Sequence, residues 1–199
     1  MENHQRFYKF GALLMSELAL PEFEWATQTF PILINRKLKD QDVFVHSLGC
    51  SVWNTFGHEN GLMAIVECPA PGTHGADIRS DSGWFCLDGN KPICLIEFER
   101  YDGSDRAQLK LEEKLRNLLE AAQRWEGSPK TVVLSVWSQG VVRAPDTQRL
   151  QEYCRYGFIS SAGSAVSCPS DLKVVVSRFL FINQSTVLTL DRIHHEVLV

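Results

Sequence analysis

The sequence predicts an α/β domain with a mixed central sheet flanked by helices, and three observations carry that prediction. Apolar strand-like runs alternate with helical stretches along the chain. Two of these runs, ADIRSDSGWFCL and PICLIEFER, are separated by the turn signal DGN and read as a hairpin. An amphipathic stretch, QLKLEEKLRNLLEAAQRW, then stands between that hairpin and a further interior strand, TVVLSVW.

Each element follows from its local pattern. Residues 5–20 read as one helix stopped by Pro21. Over residues 37–57, Val43, Phe44, Leu48, Val52, Trp53 and Phe56 fall near helical spacing, with Gly57 as the stop. LMAIVECP (62–69) is strand-like, and the hairpin strands cover 76–87 and 92–100. The loop YDGSD supplies capping residues for the helix at 108–125, whose Leu111, Leu115, Leu118 and Leu119 form one stripe. The strand at 131–137 is followed by a helix at 145–157, which opens on Pro-Asp and closes on Gly157. Strands at 171–183 and 185–192 end the chain as a hairpin around Asn183-Gln184.

A chain of 199 residues with 44% hydrophobic content and five tryptophans supplies the core of a single domain. The reading divides it into an N-terminal helical part, 1–39, and a core of about 40–183. No apolar run reaches the ~18 residues of a membrane span. The N-terminus has no basic segment followed by an apolar one, so no export signal is expected. The six cysteines form no CxxC pair, which points to reduced thiols in a cytoplasmic protein rather than a disulfide frame or a zinc site. A net charge of −4 argues against affinity through one large basic surface, yet leaves room for a local basic groove.

The segment IRSDSGWFCLDGNKPICLIEFER carries the chemistry. Side chains two apart on a strand share a face, so Glu97 and Glu99 project together, on a strand whose Leu95 should be buried. Pairing in the hairpin brings Asp81 beside them. Three neighbouring carboxylates repel one another unless a cation joins them, and Mg²⁺ or Mn²⁺ is the ordinary answer. Charge protection of an edge strand also accounts for Glu99 and Arg100, though poorly for Glu97. Arg79 and Arg100 either contact phosphate or balance the acids.

Arg79-Ser80-Asp81, a hairpin, a hydrophobic strand ending Glu97-Phe98-Glu99 and then a helix together resemble the PD-(D/E)XK, or restriction-endonuclease-like, nucleases. Within them, LIEFERYDGSDRAQLKLEEKLRNLL is most similar to the replication-relaxation group of plasmid and mobile-element proteins. The resemblance covers roughly residues 43–137, including FVHSLGCSVWNTF with His46. It implies a restriction-endonuclease-like core, metal ligation by Asp81, Glu97 and Glu99, and metal-dependent hydrolysis of DNA. Two positions depart from the pattern: Ser80 replaces the family's Pro, and Glu99 replaces its Lys. Lys114, four residues after Lys110 on the following helix, is the candidate for the missing lysine; a solvated lysine paired with nearby glutamates is the alternative. Glu59 is either an additional ligand or a loop glutamate. The resemblance implies DNA as partner, with a protein partner or a homodimer as further expectations. The alternative function is a catalytically inactive accessory or adaptor protein of the same fold.

Overall fold

Alternation along the third strand sets the architecture. The computed structural model describes residues 18–35, 42–72, 77–184 and 187–199. Strand β3 (Pro92–Arg100) sends Leu95 into one apolar cluster and Cys94, Ile96 and Phe98 into another. Both faces of the sheet must therefore be covered, as a strand apolar on both sides requires.

One face is covered by short helices α1 (Phe23–Thr29) and α2 (Ile32–Asn35) and by α3 (Asp42–Glu59). They bury Ala26, Leu33, Val52 and Trp53 against the sheet. The other face is covered by α4 (Asp105–Arg124) and α5 (Thr147–Tyr156), through Leu111, Leu115, Leu118 and Leu150. The sheet contains β1 (Met63–Pro69), β2 (Arg79–Phe85), β3, β4 (Thr131–Gln139), β7 (Lys173–Gln184) and β8 (Val187–Val197), in that spatial order. β1, β2 and β3 are antiparallel; β3, β4 and β7 are parallel; β8 returns antiparallel. A two-stranded ribbon, β5 (Phe158–Ile159) with β6 (Ala165–Val166), packs beside α4. The expected α/β class with a mixed, helix-flanked sheet is what the chain adopts.

The predicted boundaries shift for physical reasons. Gly57 does not stop α3; it lies inside the helix, where an added Cβ would come 2.8 Å from the Trp84 indole nitrogen. The chain turns instead at Gly61, whose φ of +74° suits glycine. Helix α4 begins at Asp105 rather than 108, because the Ser104 side chain accepts from the Ala107 amide and caps it. Strand β2 spans 79–85 rather than 76–87, with Asp77 ahead of it held by Arg79. The terminal hairpin is present, and β8 runs past residue 192 to Val197. The helix predicted over 5–20 lies almost entirely outside the described residues. The six cysteines are free thiols. Among the described residues no helix is long and apolar enough to cross a membrane.

One close approach positions the site. Gly49, in the middle of α3, lies so near β3 that a Cβ there would fall 2.1 Å from the Phe98 ring. Two further contacts tie the helix to the sheet: Trp53 Nε1 donates to Ser135 Oγ at 2.9 Å, and Ser82 Oγ to Asn54 Oδ1 at 2.9 Å. Helix α3 is thereby pressed against the carboxyl end of β3.

Candidate active site

The carboxyl end of β3 is where the sheet changes from antiparallel to parallel pairing, with α4 leaving on one face and α3 packed on the other. Ligands of open α/β sheets usually bind outside the carboxyl ends of the strands. Here a cleft of about 970 Å³ is lined by His46, Asp81, Glu99, Lys110, Lys114 and Arg116, among others.

Register places the first two acids together. Ser82 pairs with Ile96, so Asp81 comes opposite Glu97 one step further along. The Asp81 carboxylate is fixed by the backbone, for the Phe98 amide donates to its Oδ2 at 2.7 Å. Its Oδ1 faces His46 Nε2 at 3.7 Å, too far for a strong hydrogen bond. Glu97 is 1% exposed, a glutamate at the border of the leucine-lined core. Lys114 Nζ donates to its Oε2 at 2.8 Å. Glu99 is met by a second lysine, Lys110, at 2.8 Å, and its Oε1 also accepts from the Arg100 amide.

The two lysines come from successive turns of α4, and the two glutamates from alternate positions of β3, so both pairs form across one interface. Of the two, the Glu97–Lys114 pair is the more deeply set. Burial, with repulsion from Asp81 and Glu99 added, pushes the Glu97 carboxyl up to about 8 against the pull of Lys114. Burial by itself would lower the Lys114 ammonium, but Glu97, Asp81 and Glu99 outweigh it and the net direction is up. Lys114 is thus a retained cation beside an acid that holds its proton unusually well.

Asp81, Glu97, Glu99 and Lys114 all gather at this end of the sheet. The three carboxylates are hard oxygen donors, the chemistry that suits Mg²⁺ or Mn²⁺. As the side chains stand, each glutamate is drawn to its own lysine. Among the described residues, one oxygen from each of the three acids does not fall within 4.8 Å of the others. The set that does meet that spacing is His46, Cys50 and Asp81. Burial pushes the Cys50 thiol up to about 12, with the charge of Asp81 next in effect.

Glu59, Arg79, Arg100 and His195 each have a neighbour of their own. Glu59 ends α3 and accepts from Trp25 Nε1 at 2.7 Å, away from the cleft. Arg79 pairs with Asp77 at 2.8 Å. Arg100 lies over the Trp137 ring, 5.1 Å from its centroid. His195 Nε2 lies 3.1 Å from the Pro21 carbonyl oxygen. A feature not anticipated from the sequence is Glu112, a buried carboxylate on the cleft wall that accepts from Arg149 at 2.8 Å, from Gln108 and from the Tyr153 hydroxyl. It clamps α5 onto α4. The signal was present in the apolar stripe, since position 112 adjoins Leu111 and Leu115, but Arg149 and Tyr153 are 37 and 41 residues away.

The fold and the cleft define an α/β domain with an acid-and-lysine centre at the carboxyl end of β3. No protein-family model, no curated protein and no solved structure matches the chain.

Proposed function

We propose that the chain is a metal-dependent nuclease-like protein that hydrolyses DNA phosphodiester bonds. One observation carries this reading: a buried glutamate, Glu97, is held by Lys114 near Asp81 and Glu99, behind a cleft of about 970 Å³ that Asp81, Glu99 and Lys114 line. Glu97 differs from the similarly buried Glu112, which clamps two helices, in having Asp81 and Glu99 near it and a carboxyl raised to about 8 by burial.

The cleft lining balances Arg100, Arg106, Lys110, Lys114 and Arg116 against Asp81, Glu99, Asp102, Glu112 and Glu113, so on this reading a bound cation would supply the charge that draws in phosphate. Asp81, Glu97 and Glu99 are the side chains that would hold Mg²⁺ or Mn²⁺, whose chemistry when bound is to activate water and offset charge on the phosphodiester. Asp81 is pre-oriented by the Phe98 amide. Lys114, bonded to Glu97 from the helix, is the candidate for the lysine that the resemblance expects and that Glu99 replaces on the strand. Its ammonium would stabilise the negative charge that develops as water attacks phosphorus.

The test is incubation of the full chain with supercoiled, linear and single-stranded DNA plus Mg²⁺ or Mn²⁺. Nicking or cleavage by the wild type, abolished in Asp81→Asn, is the expected result. No cleavage of any substrate, together with no metal-dependent thermal shift, would overturn the reading. A second reading is favoured by the Lys110–Glu99 and Lys114–Glu97 pairs, which satisfy the glutamates internally: a non-catalytic accessory protein of the same fold. That protein would bind DNA with a steep salt dependence, or a protein partner without one, and would cut nothing.

A further inference from the structure

His46 and Cys50 are one turn apart on α3, and Asp81 reaches them from β2. Their donor atoms form a compact triangle: Cys50 Sγ is 3.8 Å from His46 Nε2, which is 3.7 Å from Asp81 Oδ1, and all three lie within 4.8 Å of one another. These separations are too long for strong mutual bonds. They are close to what a shared metal needs: with zinc–sulfur near 2.3 Å and zinc–nitrogen or –oxygen near 2.0 Å, tetrahedral ligands stand about 3.3–3.6 Å apart.

We propose that His46, Cys50 and Asp81 form a site for a borderline-soft divalent cation such as Zn²⁺, with a fourth position open to water. A nitrogen, sulfur and oxygen donor set selects such an ion over Mg²⁺, which prefers oxygen alone. The backbone holds the triangle in place. Gly49 lets α3 touch Phe98, so residues 46 and 50 flank the ring at the end of β3, and the Phe98 amide turns Asp81 so that Oδ1 faces His46. The cleft admits an ion from solvent, since the His46 side chain is 43% exposed. As the metal–sulfur bond forms, the thiol proton passes to the buffer. This site stands apart from the nuclease reading and shares only Asp81 with it.

The experiment titrates the metal-stripped full chain with Co²⁺ and reads the thiolate-to-cobalt charge-transfer absorption. Wild type should develop the band, Zn²⁺ should displace it, and Cys50→Ser should lack it. Cys168→Ser and Glu99→Gln should retain it. His46→Ala, at an open position, should weaken Co²⁺ binding by at least about tenfold, since even loss of a ligand's hydrogen-bond partner costs that much. Absence of a band in the wild type, or a band that survives Cys50→Ser and disappears in Cys168→Ser, would overturn the proposal. DNA-cleavage results do not enter this test, so the two readings fail separately.

Discussion

Glu97→Gln tests whether the buried carboxyl holds a proton that the unfolded chain gives up. The ordinary glutamate value is 4.5, and burial pushes Glu97 to about 8 in the folded protein. Between those values the native state binds the proton and the unfolded state does not. The associated stability is therefore full below about pH 4.5 and is lost as pH rises through about 8. A one-proton difference gives a slope of about 1.4 kcal/mol per pH unit, so this residue alone should remove roughly 2–3 kcal/mol between pH 5.5 and 7.5. Glutamine keeps the size and an acceptor for Lys114 but cannot ionise. Urea unfolding, followed by tryptophan fluorescence in the presence of a chelator, should give a flatter pH profile for Glu97→Gln than for wild type. Other titrating groups cancel in the difference between the two profiles. If the curves run parallel from pH 5 to 8, Glu97 is solvated or conventionally ionised, and the argument for a poised acid fails.

Two further perturbations probe the same centre. Lys114→Met should destabilise the protein by about 2–4 kcal/mol well above pH 8, where Glu97 ionises only with its lysine beside it, and much less at pH 6; adding Glu97→Gln should restore most of the loss, and an additive cycle in urea would show that the two side chains do not interact. Gly49→Ala should lower stability by about 1–3 kcal/mol by driving a methyl into Phe98, even though alanine favours helix by about 1 kcal/mol; a neutral or stabilised variant would mean α3 does not touch β3 there.

Local pattern made much of the fold legible. The alternation of PICLIEFER, the turn after Cys86 and the leucine stripe of α4 each depend on neighbours within one turn or one strand. The short helices at 23–35 and the β5–β6 ribbon escaped because segments so brief have little periodicity of their own and are held by packing against the sheet. The stop assigned to Gly57 was misplaced for a similar reason. A glycine needed for close contact with Trp84 is indistinguishable in sequence from one needed for a turn.

The candidate site divides along the same line. That Glu97 and Glu99 share a face, that Asp81 comes near them across a hairpin, and that Lys110 and Lys114 share a helical face follow from the periods of strand and helix alone. Which lysine meets which glutamate, how deeply Glu97 is buried, and that Cys50 joins His46 and Asp81 were decided only when α3 and α4 docked on opposite faces of β3. The physical reason is range. Backbone periodicity orders side chains within an element, whereas distances between elements come from packing, and here from the missing side chain of one glycine.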